Sequence, residues 1–175
     1  GKNVIVISAI EHHATLDPAA WLAEHEGAEI IYAPVTSDGV LDLEFLRALV
    51  SKRGSEIALI SVMHANNETG AINNLELISH AVRRQAPNAI FHTDAVQAAC
   101  WLDLRTIWPH VDALTLSAHK FGGPKGMGIM VLRNGFNVEP LLLGGGQERD
   151  RRSGTHNVAG IVGTSVALTL TDKNR

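Results

Sequence analysis

Cysteine is almost absent. Cys100 is the only one in 175 residues, which excludes an intramolecular disulfide framework and any cysteine-cluster zinc site. No apolar run approaches the roughly 18 residues that a membrane-spanning helix needs. The Val4–Ile7 run near the start is too short for a signal peptide. Charge of one sign is lacking as well: fifteen Lys and Arg against eighteen Asp and Glu leave −3. That balance is too mild and too mixed for a binder of nucleic acid or another polyanion. There is no internal repeat and no low-complexity linker. The Gly-Pro-Lys run lacks the Lys-Ser/Thr ending of a phosphate-binding Walker loop, and no G-x-G-x-x-G opens a strand–helix turn near the start. Nine histidines form no H-E-x-x-H or comparable pair, so no metal site is expected.

What is present is material for a core. Apolar residues make up 45% and charged residues 19%, the mixture of one ordinary globular domain rather than a disordered tail. The expectation is a single soluble domain over residues 1–175, in a reducing and hence cytoplasmic compartment. A strand-like run only three residues from the start, and a helical pattern cut off at Arg175, predict a piece of a larger protein.

Short apolar runs alternate with amphipathic stretches. Strands are predicted at Asn3–Ser8, Glu29–Ala33, Ile57–Met63, Ala89–Thr93, Ala113–Ser117 and Gly128–Arg133. Most are continuous rather than alternating, as strands covered on both faces should be. Helices are predicted behind the caps Asp42 and Asn74, and over Thr15–Glu26 with Pro18 in the first turn. Strand–helix alternation with right-handed crossovers implies a three-layer α/β/α domain around a mainly parallel sheet. In such sheets ligands bind at the carboxyl ends of the strands.

Those ends carry suggestive residues. Ser117-Ala-His-Lys120 follows the fifth strand, with glycines behind it. A lysine there can be partly desolvated, which frees the neutral amine that Schiff-base chemistry needs; alone, it is more often a surface charge. Asp94 ends the fourth strand. A carboxylate at a buried strand mouth is costly unless paired or facing a ligand, and it suits the protonated ring nitrogen of pyridoxal phosphate; it could equally cap the following turn. Asn66-Asn67 with Gly70, after the third strand, could donate to a bound oxygen or serve only as turn residues. Near Glu11-His-His13 an imidazole could stack on a flat ring, although an ordinary loop histidine fits the spacing too.

Taken together, Glu11-His12, His64-Ala-Asn-Asn-Glu-Thr-Gly70, His92-Thr-Asp-Ala-Val-Gln97, Ser117-Ala-His-Lys120 with Gly-Pro-Lys-Gly126, Gly144-Gly-Gly-Gln-Glu148 and Arg152-Ser-Gly-Thr155 resemble the cysteine desulfurases. These are pyridoxal-phosphate enzymes of the class V aminotransferase group, and the wording is most similar to the iron–sulfur and nitrogen-fixation type. Six such pieces in family order are specific where each alone is not. The resemblance implies a fold-type I large domain, here incomplete, without the N-terminal segment and the C-terminal small domain. It implies that Lys120 binds the cofactor covalently and moves protons, and that Asp94 pairs with the ring nitrogen. Gln97 and Asn67 would bond the phenolate oxygen, and His12 would stack on the ring, with His13 its neighbouring alternative. Ser117 and His119 would hold the phosphate, and Thr155 would reach a phosphate in the partner subunit of a homodimer. The implied reaction takes L-cysteine to L-alanine and passes sulfur to an acceptor or iron–sulfur scaffold protein. The cysteine nucleophile of the family would lie beyond Arg175; Cys100 matches no such position and reads as a small buried hydrophobe. Two alternatives are a selenocysteine lyase on the same scaffold and a non-catalytic truncated module.

Overall fold

A computed structural model describes residues 1–175. Six strands fall where the apolar runs predict them: β1 (Val4–Ser8), β2 (Glu29–Ala33), β3 (Ile57–Ser61), β4 (Ile90–Asp94), β5 (Ala113–Ser117) and β6 (Gly128–Leu132). They form one sheet in the order β2-β1-β3-β4-β5-β6. The first five are parallel and β6 runs antiparallel beside β5, so the mainly parallel α/β architecture holds.

Alternate residues of β1 face different layers. Ile5 and Ile7 pack on Ala19, Leu16 and Leu22 of α1 (His13–His25). Val4 and Val6 belong to the larger core with Leu46 and Val50 of α2 (Leu43–Arg53) and Ile78 and Val82 of α3 (Leu75–Gln85). Helices therefore cover both faces. A last helix, α4 (Val158–Asn174), adds Ala167 to the larger core.

The predicted caps form. Asp42 accepts the amides of Glu44 and Phe45, and Asn74 accepts that of Leu77, each satisfying donors that the first helical turn leaves open. The start of α1 differs from expectation. His12 is the cap, its Nδ1 accepting the Ala14 amide, so the helix begins earlier and Pro18 lies inside it rather than in its first turn. Proline there removes one interior hydrogen bond. No α-helix links β4 to β5; three short 3₁₀ turns do so instead.

Asp112, only 3% exposed, braces this region. It accepts the Phe91 amide at 2.9 Å and pairs with Arg83 of α3 at 2.6 Å, which locks β4 against the helix layer. Gly54 closes α2 so tightly that a Cβ would collide with the carbonyl oxygens of Gln85 and Val50.

Candidate functional site

Strands β1, β3, β4 and β5 are parallel neighbours, so their carboxyl ends share one edge. Register then decides which side chains meet there. Ile7 pairs with Ser61, Ser61 with His92, and Asp94 with Thr115. Because side chains alternate along a strand, Ser61, His92, Asp94, Thr115 and Ser117 all lie on the sheet face that carries α1. A polar row crosses that face: His92 Nδ1 meets Ser61 Oγ at 2.8 Å, and its Nε2 meets Thr115 Oγ1 at 3.2 Å. Burial drives the His92 imidazole down to about 4, so it is neutral near pH 7.

Asp94 stands one step nearer the edge. It is 9% exposed, and its Oδ1 accepts the Val96 amide at 2.8 Å. The carboxyl thus makes the turn hydrogen bond expected of a cap. Burial raises it, opposed by that amide and by the nearby His12. None of the chain's ion pairs satisfies it.

The segment after β3 is held to the same edge. The His64 amide donates to the Asp94 carbonyl at 2.9 Å. Asn66 is buried and fully occupied. Its side-chain oxygen accepts from the amides of Glu68 and Thr69, and its amide donates to the Ile10 carbonyl. Asn66 is thus the turn residue, and the exposed Asn67 beside it is free of such duties. Two open clefts, each about 410 Å³, flank this loop. One is lined by Glu11, His12, His13 and Asn67, the other by Asn67, Gln97 and Trp101. Neither is lined by Asp94 or Lys120.

Beyond β5, the 3₁₀ turn Ala118–Phe121 buries Ala118 and Phe121 and ends on Gly122, whose φ of 81° suits glycine. That turn plants Lys120 beside the end of β5. Its side chain is exposed, not partly desolvated as expected, because burial in the turn is spent on the two apolar residues around it. Ser117 Oγ and His119 Nδ1 meet at 2.9 Å. Cys100 is half-buried rather than sealed in the core, and its thiol donates to the Lys120 carbonyl at 3.0 Å. His12 is exposed and keeps Nε2 free, whereas His13 is engaged with Asp17 at 2.9 Å. Thr155 is exposed. It lies in a segment tied to the glycine-rich loop through bonds from the Ser153 amide to the Leu142 carbonyl and from the Gly154 amide to Gln147 Oε1. No hydrogen bond joins it to the strand mouths.

Sequence reasoning assigns no role to two titratable groups of this edge, the half-buried His92 and the buried Glu11. A histidine within a buried strand was a visible signal for the first. Glu11 gives none, since its burial depends on the distant Met63.

A family model described as aminotransferase class V matches residues 1–175. A cysteine desulfurase of Gluconacetobacter diazotrophicus is 45% identical over 170 residues, covering 97% of this chain and 41% of that protein. Among solved structures, a NifS-like protein superposes with a TM-score of 0.92 at 41% identity, over 98% of this chain and 46% of the other. SspA, solved in complex with cysteine, superposes with a TM-score of 0.83 at 32% identity, over 96% of this chain and 47% of the other. The chain thus spans less than half the length of the relatives it matches.

Proposed function

The chain belongs to the class V aminotransferase family, and from that premise we propose that it carries the cofactor-binding part of a pyridoxal-phosphate-dependent cysteine desulfurase. One observation carries the reading most directly. Asp94 is a nearly buried carboxylate at the carboxyl edge of the sheet with no cation paired to it, and a buried charge needs such a partner. A protonated ring nitrogen fits that need. An unpaired lysine on the next strand end, and a hydroxyl–imidazole pair beside it, suit the aldehyde and phosphate of the same molecule.

In this reading Lys120 attaches the cofactor through its amine, Asp94 faces the ring nitrogen, and Asn67 and Gln97 donate to the phenolate oxygen. His12 stacks on the ring with Nε2 free, Ser117 and His119 bind the phosphate, and Thr155 reaches a phosphate across a homodimer. Bound there, pyridoxal phosphate supplies an electron sink for bond-breaking beside the substrate amine. Lys120 Nζ then holds and returns a proton on that side. The proposed substrate is L-cysteine, the proposed product L-alanine, and the sulfur goes to an acceptor of the iron–sulfur assembly kind. Cys100 is a poor sulfur-accepting nucleophile, because burial raises its thiol and its hydrogen is engaged with Lys120. The longer protein supplies that thiol in this proposal, and the cytoplasm is its place. No helix of the chain is long and apolar enough to cross a membrane.

Adding pyridoxal phosphate to the purified chain should produce a visible absorbance band that Lys120→Ala abolishes. A band of equal strength in the variant, or none in the wild type, sinks the proposal.

A further inference from the structure

The turn between β1 and α1 holds a carboxyl that the roles above leave out. Glu11 is 5% exposed, and its Oε1 accepts the Met63 amide at 2.6 Å. Its Oε2 is the one buried side-chain nitrogen or oxygen in the chain without a hydrogen-bond partner. An ionised oxygen left in that state is costly. The Met63 bond also lengthens the sheet. β1 ends at Ser8 and β3 at Ser61, yet Glu11 reaches the amide just past β3. The next amide, that of His64, donates to the Asp94 carbonyl. One carboxyl therefore ties the turn carrying His12 to the segment after β3, whose next amide holds the Asp94 carbonyl, and it lines the cleft beside Asn67.

We infer that Glu11 is a positioning residue of the proposed site: it keeps its proton at neutral pH, holds the His12 turn against the end of β3, and leaves Asp94 the single negative charge facing the ring. The role toward the ring rests on the pyridoxal phosphate reading; the proton does not.

The groups bearing on Glu11 are few. Burial raises it to about 8, the Met63 amide opposes, and the Asp94 carboxylate at the end of β4 raises it again. The Thr15 hydroxyl of α1 lies near and slightly favours the anion, but it closes no hydrogen bond. No lysine or arginine contributes. His12, next in the chain, acts on Asp94 instead. Burial of a carboxyl whose second oxygen has no donor disfavours its anion, and the Asp94 charge adds to that, so Glu11 keeps its proton. Oε1 is committed to an amide donor, which leaves Oε2 to carry it.

Infrared spectra of the cofactor-free chain test the proton. A carboxylic-acid carbonyl band should be present near pH 6.5, fade through about pH 8, and be missing from Glu11→Gln. Titration with pyridoxal phosphate tests the positioning. Glu11→Ala should weaken binding about tenfold, the worth of one organising hydrogen bond. Glu11→Gln should recover most of that loss, since its amide oxygen still accepts from Met63. A carboxylate already ionised near pH 6.5, or equal weakness in both variants, overturns the inference. Should Glu11→Ala fail to fold, the wild-type infrared titration and Glu11→Gln still decide. A chain that binds no pyridoxal phosphate overturns the role toward the ring along with the cofactor reading, while the band still judges the proton.

Discussion

Replacing His92 with Asn should change how the chain's stability depends on pH, by an amount the polar row itself sets. His92 bridges Ser61 and Thr115 across three strands, and burial holds it at about 4 against 6.5 in an open chain. The folded value is depressed and the group is a base. Its contribution is therefore complete above pH 6.5 and is lost as the pH falls toward 4. At about 1.4 kcal/mol per pKa unit the full loss approaches roughly 3 kcal/mol, of which about 2 kcal/mol has gone by about pH 5. Glu11 and Asp94 act in the opposite sense, because raised carboxyls lend stability at low pH that fades as the pH rises through their folded values. A single protein would mix these terms, so the difference between wild type and His92→Asn is the quantity to measure. Urea unfolding followed by circular dichroism, at about pH 7.5 and about pH 5, should show the stability gap narrowing by about 2 kcal/mol at the lower value. A gap of equal size at both pH values would refute the neutral, half-buried imidazole.

Two further substitutions probe the scaffold. Arg83→Ala strips the 2.6 Å partner from Asp112 and should cost about 3 kcal/mol in urea unfolding, the low end for a broken buried pair because Arg133 stays 3.7 Å away. An unchanged midpoint would show that Arg133 suffices. Gly54→Ala should destabilise by about 1–3 kcal/mol, although helix propensity alone favours alanine, since the new methyl meets backbone oxygens of both helices. A thermal midpoint that rises would mean that α2 and α3 part without penalty.

Most of the scaffold was legible in the sequence. Strand positions were readable because buried parallel strands announce themselves as continuous apolar runs, and the caps Asp42 and Asn74 because capping acts within three residues. The family was legible for a different reason: six short segments kept their order. Lys120, Asp94, Asn67, Gln97, His12, Ser117 and His119 were all nameable as strand-end or loop residues, and the parallel sheet draws those ends to one edge. Their duties were less so. Asn66 and Asn67 look alike in the chain, and only the fold gives Asn66 to the loop and leaves Asn67 exposed. The exposure of Lys120 and the thiol bond from Cys100 were likewise invisible, as each depends on how the Ala118–Phe121 turn packs.

The local chemistry of the chain determined its elements, their caps and the family resemblance, since periodicity and capping act over a few residues. Which polar groups would be buried together was decided only by tertiary structure. Glu11 and Met63 are 52 residues apart in sequence, and Ser61 and His92 are 31 apart. Strand register aligns the second pair, the β1–α1 turn folding over the end of β3 makes the first, and burial there, rather than residue type, raises one carboxyl and lowers one imidazole.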